Sequence, residues 1–150
     1  MTPENMAKLR SILQRHEGLR LTPYADSRGF QTIGWGHNLS AHNEDIPEII
    51  TTDQARWYFE IDFAEACSNT ELYLHGQKIT LDDIRFAALV DLCFNIGIGG
   101  ISKFKKMLAA LKANDYTTAS SELLNSIYAE QVPSRAIELA DMFRTGTWKG

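Results

Sequence analysis

A chain of 150 residues, 44% hydrophobic and 23% charged, with 10 Gly and 4 Pro, has the make-up of a folded domain able to bury a sizeable core. Its net charge of −4 counts against a nucleic-acid binder, which ordinarily carries a basic face strong enough to make the whole domain basic. No run is read as reaching the roughly 18 apolar residues of a membrane span, and "MTPENMAKLRSILQRHEG" alternates charge with apolar residues, unlike a secretory signal. No membrane insertion is therefore expected, and the chain should accumulate in the cytoplasm of the cell that makes it.

In chain order, Thr2 followed by Pro3 reads as a helix start. Met6, Leu9 and Leu13, with Ile12 beside them, form an apolar stripe at helical spacing, and Gly18 supplies the stop. Glu17 is thus the last or next-to-last helical residue. "LTPYADSRGFQTIG" then reads as a β-hairpin, with Phe30, Thr32 and Gly34 on one face and Gln31, Ile33 and Trp35 on the other. Residues 38 to 50 are polar and loop-like. Thr51 with Gln54 fits a capping box for a long aromatic-rich helix (Trp57, Tyr58, Phe59, Phe63) reaching about residue 74 and ended by Gly76. Thr80 is expected to cap a buried central helix, "FAALVDLCF", which "NIGIGG" breaks. Shorter helices are expected near 102–112, 116–128 and 134–143, and "RTGTWKG" closes the chain.

Charge is unevenly spread along these elements. Residues 44 to 83 carry ten acids against Arg56 and Lys78, a balance of −8, whereas residues 84 to 113 carry Arg85 and four lysines against Asp91, or +4. "KFKK" at 103 to 106 reads as the solvated face of a helix. Cys67 and Cys93 lie far apart in apolar helical contexts and are expected as buried thiols. Neither has a partner at metal-ligand spacing, His16, His37, His42 and His75 are scattered, and "HEG" lacks the second histidine of a zinc helix. No metal or cofactor is expected.

Three residues sit where local rules do not want them or allow two readings. A glutamate is ordinarily a surface residue, but Glu17 meets the negative end of its helix dipole, which disfavours the ion, the direction a general acid needs. Asp26 and Gly29 match the first and fourth positions of a type I turn, a sound structural reading for an acid. Arg135 falls in the first turn of the helix that opens at Pro133 or Ser134, the wrong end for a cation, so a long-range acidic partner is expected. Taken singly, Thr32 is a strand-former and His37 a structural histidine.

The joint pattern is more specific. "HEGLRLTPYADSRGFQTIGWGH" (16–37) closely resembles the lysozymes of the phage T4 type, the endolysins of glycoside hydrolase family 24. Their pattern is an acid in "EG" at the end of the first helix, an Asp nine residues on, and a Thr six residues later inside "TIGxGH"; here these are Glu17, Asp26 and Thr32. The resemblance recurs at "FNIG" (94–97) and "PSRA…FRTGTW" (133–148) and so spans nearly the whole chain.

The resemblance implies one catalytic domain of mainly helical α+β class with a two-lobed lysozyme-like fold. A small β-hairpin lobe at about 15–60 would be joined by a long helix to a helical C-terminal lobe at about 76–150 that includes the first helix, with the cleft between lobes. It implies hydrolysis of the β-1,4 bond between N-acetylmuramic acid and N-acetylglucosamine in the glycan strands of bacterial peptidoglycan, with inversion and host lysis. Glu17 would be the general acid, and Asp26 with the Thr32 hydroxyl would position the attacking water. Arg135 would pair with Glu17, Asn95 and Phe94 would contact saccharide, and His37 would buttress the hairpin. A monomer is expected, held in the host cytoplasm until a separate membrane-permeabilising partner, a holin, releases it to the wall.

Three other readings are weighed beside this one. A lytic transglycosylase closes the muramic residue into an anhydro ring and does not need the water-positioning Asp26 and Thr32. An inactive peptidoglycan-binding module, such as a virion structural piece, does not need all three residues. A helical DNA-binding regulator is disfavoured by the acidic balance.

Overall fold

The computed structural model describes residues 1–42 and 45–149. Its contacts divide the chain into two compact units, Arg10–Glu65 and Met1–Leu9 with Ala66–Gly150. Both divisions fall inside helices. The first of these, α1, runs Pro3–Glu17, and the second, α2, runs Thr52–Gln77.

Helix α1 starts as its sequence dictates, with the Thr2 hydroxyl accepting the Asn5 N–H at 3.1 Å. Leu9, Ile12 and Leu13 are its buried stripe. Gly18 ends it, its N–H reaching the Gln14 carbonyl at 2.9 Å. Helix α2 opens on a complete capping box: Thr51 Oγ1 accepts the Gln54 N–H at 3.1 Å and Gln54 Oε1 accepts the Thr51 N–H at 2.8 Å.

In the smaller unit the expected hairpin is a three-stranded antiparallel sheet. Its strands β1 (Arg20–Ala25), β2 (Gln31–Gly34) and β3 (His37–Asn38) lie in that order. Pro23 lies on the edge strand, where its missing N–H costs little. Tyr24 stands opposite Thr32, and Thr32 opposite Asn38. Ile33, Leu39, Ile50 and Ala55 form the core beneath the sheet, with Leu21, Trp35 and Tyr58 packed on it. The stretch read as a loop from 38 holds part of β3 and a 3-10 turn at Ser40–His42, while residues 43 and 44 lie outside the described residues. Arg10 fastens α1 to α2 by two hydrogen bonds to the Glu60 carboxylate, 2.9 and 3.2 Å, with its guanidinium 4.7 Å over the Phe63 ring.

The larger unit is helical. Helix α2 does not stop at Gly76. It runs to Gln77, and Lys78 takes the left-handed step (φ 57) while the Ile79 N–H closes back on the Leu74 carbonyl at 2.9 Å. Nor does Thr80 cap the central helix α3 (Asp83–Ile101). Asp82 does, accepting the Arg85 N–H at 3.3 Å. Gly97 (φ 72, ψ 172) breaks α3, as the glycines foretold, and the helix resumes beyond it. The helix expected at 102–112 is α4 (Lys105–Lys112), with the lysines of "KFKK" exposed. The single helix expected at 116–128 is two, α5 (Tyr116–Leu124) and α6 (Ile127–Gln131), because Ser126 caps a new start by accepting the Ala129 N–H at 3.2 Å. Helix α7 (Pro133–Thr145) packs on α3, α5 and α6.

One expectation about α3 is corrected. Its 19 residues include an 18-residue window of mean hydropathy 1.6, enough by length and composition to cross a membrane. Ala87 through Cys93 are nevertheless buried inside the protein, the condition of a core helix. Cys67 and Cys93 are both thiols, but only Cys93 is buried as expected; Cys67 is half-buried.

Candidate active site

Glu17 is half-buried at the last position of α1. Its carboxyl group lies against the backbone of Gly36, in the turn between β2 and β3. Tyr24, on β1 opposite Thr32, senses both Glu17 and Asp26. Burial first, and then the negative charge of Glu17, push its hydroxyl above the ordinary 10.0; Arg20, 4.6 Å over the ring, pulls the other way, and Asp26 adds a further push.

Asp26 serves the turn as its sequence position predicts. Its carbonyl accepts the Gly29 N–H at 2.9 Å, and its Oδ1 accepts the N–H groups of Arg28 and Phe30, each at 2.9 Å. The structural reading is therefore true, and it also fixes the carboxylate in place. Thr32 is buried and donates its hydroxyl proton to the Phe30 carbonyl at 2.8 Å. With that proton committed, the remaining lone pairs of the Thr32 oxygen can only accept, as a carboxylate can. A single water, with two protons to donate, takes two such acceptors.

His37 is buried beside the site. Its Nδ1 meets Asp62 Oδ2 at 2.8 Å, and its ring stacks on Tyr58 with centroids 4.2 Å apart. It supports the turn that carries Gly36.

The other three singled-out residues belong to the larger unit. Phe94 and Asn95 are half-buried on α3, just before the break at Gly97. Arg135 is buried in the first turn of α7, with Nε donating to Asp91 Oδ1 at 2.8 Å and Nη2 to the Asp91 carbonyl at 3.4 Å. Asp91 is the long-range acidic partner that the position of Arg135 demanded. It lies one turn ahead of Phe94 and Asn95 on the same helical face, so the ion pair docks α7 on that face. Glu17, Asp26 and Thr32 thus share one unit, and Phe94, Asn95 and Arg135 the other.

The sequence pass left Asp91, Asp62, Tyr24 and Gly36 out of the site. Asp91 carried a signal, being a lone acid in an apolar helix that must be compensated. The others gave none, since their partners are set by strand register and helix packing. Among the described residues no group of three or more His, Cys, Asp or Glu side chains is placed to hold a metal ion.

The family model described as phage lysozyme matches residues 14–137, a span holding all six singled-out residues. The chain is 30% identical to "Probable T4-type lysozyme 2" of Dictyostelium discoideum, over 96% of this chain and 98% of that one. It is 34% identical to an "Endolysin" of Acyrthosiphon pisum secondary endosymbiont phage 1, over 75% of this chain and 73% of that one. It is also 29% identical to a "Pre-baseplate central spike protein" of Enterobacteria phage T4, over 90% of this chain but 27% of the spike protein.

Proposed function

The chain belongs to the phage lysozyme family and is a lysozyme-type hydrolase, and we propose that it cuts the β-1,4 bond between N-acetylmuramic acid and N-acetylglucosamine in peptidoglycan with inversion. A glycosidic oxygen leaves only when protonated, so one carboxyl must give a proton while another stays ionised. Glu17 gives it. Asp26 and Thr32 hold a water on the opposite side of the sugar, and Asp26 takes its proton as it attacks the anomeric carbon. Phe94 and Asn95 serve the saccharide, and Arg135, held by Asp91, braces α7 against the helix that carries them.

The observation that carries this reading is the commitment of the Thr32 hydroxyl proton to Phe30, the residue whose N–H, with that of Arg28, pins the Asp26 carboxylate. A covalent mechanism needs a nucleophilic carboxylate but no second acceptor beside it. A transglycosylase needs no water at all.

Mass spectrometry of digested muropeptides tests the reaction. Reducing ends are expected, whereas anhydro ends would mean a transglycosylase and uncut strands a binding module. The spike-protein relative makes the last outcome worth scoring, because there the similar region is part of a much longer protein. An α-anomeric first product, followed by NMR, is expected for inversion. Glu17→Gln should abolish turnover without unfolding the chain, and unchanged turnover would remove Glu17 from the mechanism.

Delivery belongs to the same proposal, as cytoplasmic storage followed by release through a holin. Cells expressing the chain alone should stay intact until chloroform opens the inner membrane, then lyse quickly. Spontaneous lysis would overturn that route.

A further inference from the structure

Catalysis by Glu17 requires more than a carboxyl at a helix end, because a glutamate side chain has three rotatable bonds and α1 stops beneath it. We propose that Gly36 is a positioning residue: the space where its side chain would be is the seat of the Glu17 carboxyl group. This inference rests on Glu17 as the proton donor.

The geometry is specific to this glycine. A Cβ built on Gly36 falls on Glu17 Oε2, 2.8 Å from the carboxyl carbon and 3.3 Å from Cγ. Gly36 also has φ +74, yet a left-handed backbone alone does not explain the contact. Gly34 (φ +66) would place a Cβ at an ordinary 3.5 Å from Ala55. Gly18 (φ +67) and Gly29 (φ +83) would meet nothing within 4 Å.

The wall is also stiff. Both neighbours of Gly36 are anchored to α2. Trp35 sets its ring edge-on to Phe59, with centroids 5.9 Å apart, and His37 pairs with Asp62 while stacking on Tyr58. Arg10 ties α1 to α2 through Glu60 and Phe63. The acid and its seat therefore hang from one helix, and a side chain at position 36 must displace the carboxyl rather than the turn. A misplacement of about 1 Å can cost about 100-fold in rate.

Stability and kinetics of Gly36→Ala, Gly34→Ala and their combinations with Glu17→Ala test the seat. Gly36→Ala should lower Tm by several degrees more than Gly34→Ala. Adding Glu17→Ala should remove the excess loss at position 36 while leaving the left-handed backbone cost that it shares with position 34, a steric readout independent of catalysis. If Gly36→Ala alone does not fold, recovery of folding in the double variant counts as the same result. In the enzyme that keeps Glu17, Gly36→Ala should lower kcat about 100-fold with little change in KM and should move the alkaline limb of the pH–rate profile. Gly34→Ala should keep kcat within a few-fold. Equal losses at 34 and 36 with an unmoved pH profile, or no recovery on removing Glu17, would overturn the seat. An active Glu17→Gln enzyme alongside the steric recovery would instead overturn the proton-donor reading and leave the packing relationship standing.

Discussion

Asp26 and Thr32 are fastened to one residue, Phe30. Its N–H donates to Asp26 Oδ1 at 2.9 Å, and its carbonyl accepts both the Asp26 N–H at 2.9 Å and the Thr32 hydroxyl at 2.8 Å. The turn that shapes the hairpin thus also fixes the Asp26 carboxylate and commits the Thr32 hydroxyl proton. The structural reading of Asp26 holds in the fold, and the proposed role as base would use the carboxylate that the turn fixes.

Asp26→Asn separates the two roles. An amide oxygen can accept the same N–H groups from Arg28 and Phe30, so the turn and the melting temperature should hold. Turnover should fall roughly 100- to 10,000-fold, because the water loses its base. Thr32→Val removes one acceptor, while the Phe30 carbonyl keeps its bond from Asp26. Its cost should be smaller, about 10-fold in kcat, matching roughly 0.5–1.5 kcal/mol for one hydrogen bond. A Thr32→Val defect exceeding that of Asp26→Asn, in steady-state assays on purified peptidoglycan, would reverse the assigned roles.

Acid stability should depend on two carboxylates in the larger unit. Hydrogen bonds from the side chain and backbone of Thr118 hold Asp115, the N-cap of α5, below its ordinary 3.8. The hydrogen bond from Lys149, helped by Arg144, does the same for Asp141. A carboxyl lowered by folding stabilises the fold above its unfolded pKa, and that contribution disappears as pH falls through the lower folded value. Asp115→Asn and Asp141→Asn should therefore be less stable than the parent at neutral pH and equal to it in strong acid. Asp115 is exposed and Asp141 half-buried and open to solvent, so the gap should be small and should shrink in salt. Urea midpoints at several pH values check it, and a gap that widens in acid would contradict the sign.

Local pattern made much of the fold legible. Thr2–Pro3 and the Thr51–Gln54 box marked helix starts because caps are bonds between near neighbours. Strand β3 escaped because two residues, His37 and Asn38, carry no periodicity, and their pairing with Ile33 and Thr32 is a fact of register. The end of α2 was misjudged because Lys78 took the left-handed step that glycine usually takes, repaid by closure onto Leu74. Within the site, the acids and Thr32 stood in one contiguous motif. Gly36 as a seat, and Arg135 as the partner that the buried Asp91 demanded, came only from folding, since both are defined by what arrives from elsewhere in the chain.

Asp91 should be among the costliest positions to truncate. It is fully buried in α3, and its bond to Arg135 joins two helices across 44 residues. Asp91→Ala takes from a buried guanidinium its carboxylate and should destabilise by about 3–5 kcal/mol in urea denaturation. Replacing both partners, as Asp91→Leu with Arg135→Met, should cost less than Asp91→Ala alone, because no buried charge remains at either position. A single-variant loss below about 1 kcal/mol would show that the pair behaves as a surface ion pair.

Arg85 is a second cross-helix fastener, and its chemistry predicts that lysine cannot replace it. Its Nε donates to the Phe143 carbonyl at 2.6 Å and Nη2 to the Arg144 carbonyl at 3.2 Å, so it covers the exposed carbonyls at the end of α7 with the cation that end favours. The same planar group lies 3.4 Å from the centroid of Tyr116 and is steadied by Asp82 at 3.0 Å. An ammonium has neither the plane nor the fork to do all of this at once. Gly146 completes the arrangement: at φ +67 it turns the chain away from α7, and a Cβ there would stand 2.8 Å from the Arg85 Nη1. Arg85→Lys should cost about 1–2 kcal/mol, and Gly146→Ala at least as much, from the left-handed backbone and the collision together. At this chain length each kcal/mol lowers Tm by roughly 2–4 °C, well within the resolution of a calorimetric scan. Arg85→Ala combined with Gly146→Ala should then cost less than the sum of the two single losses, since the colliding group is gone. Strictly additive losses would mean that the end of α7 is held by its backbone alone.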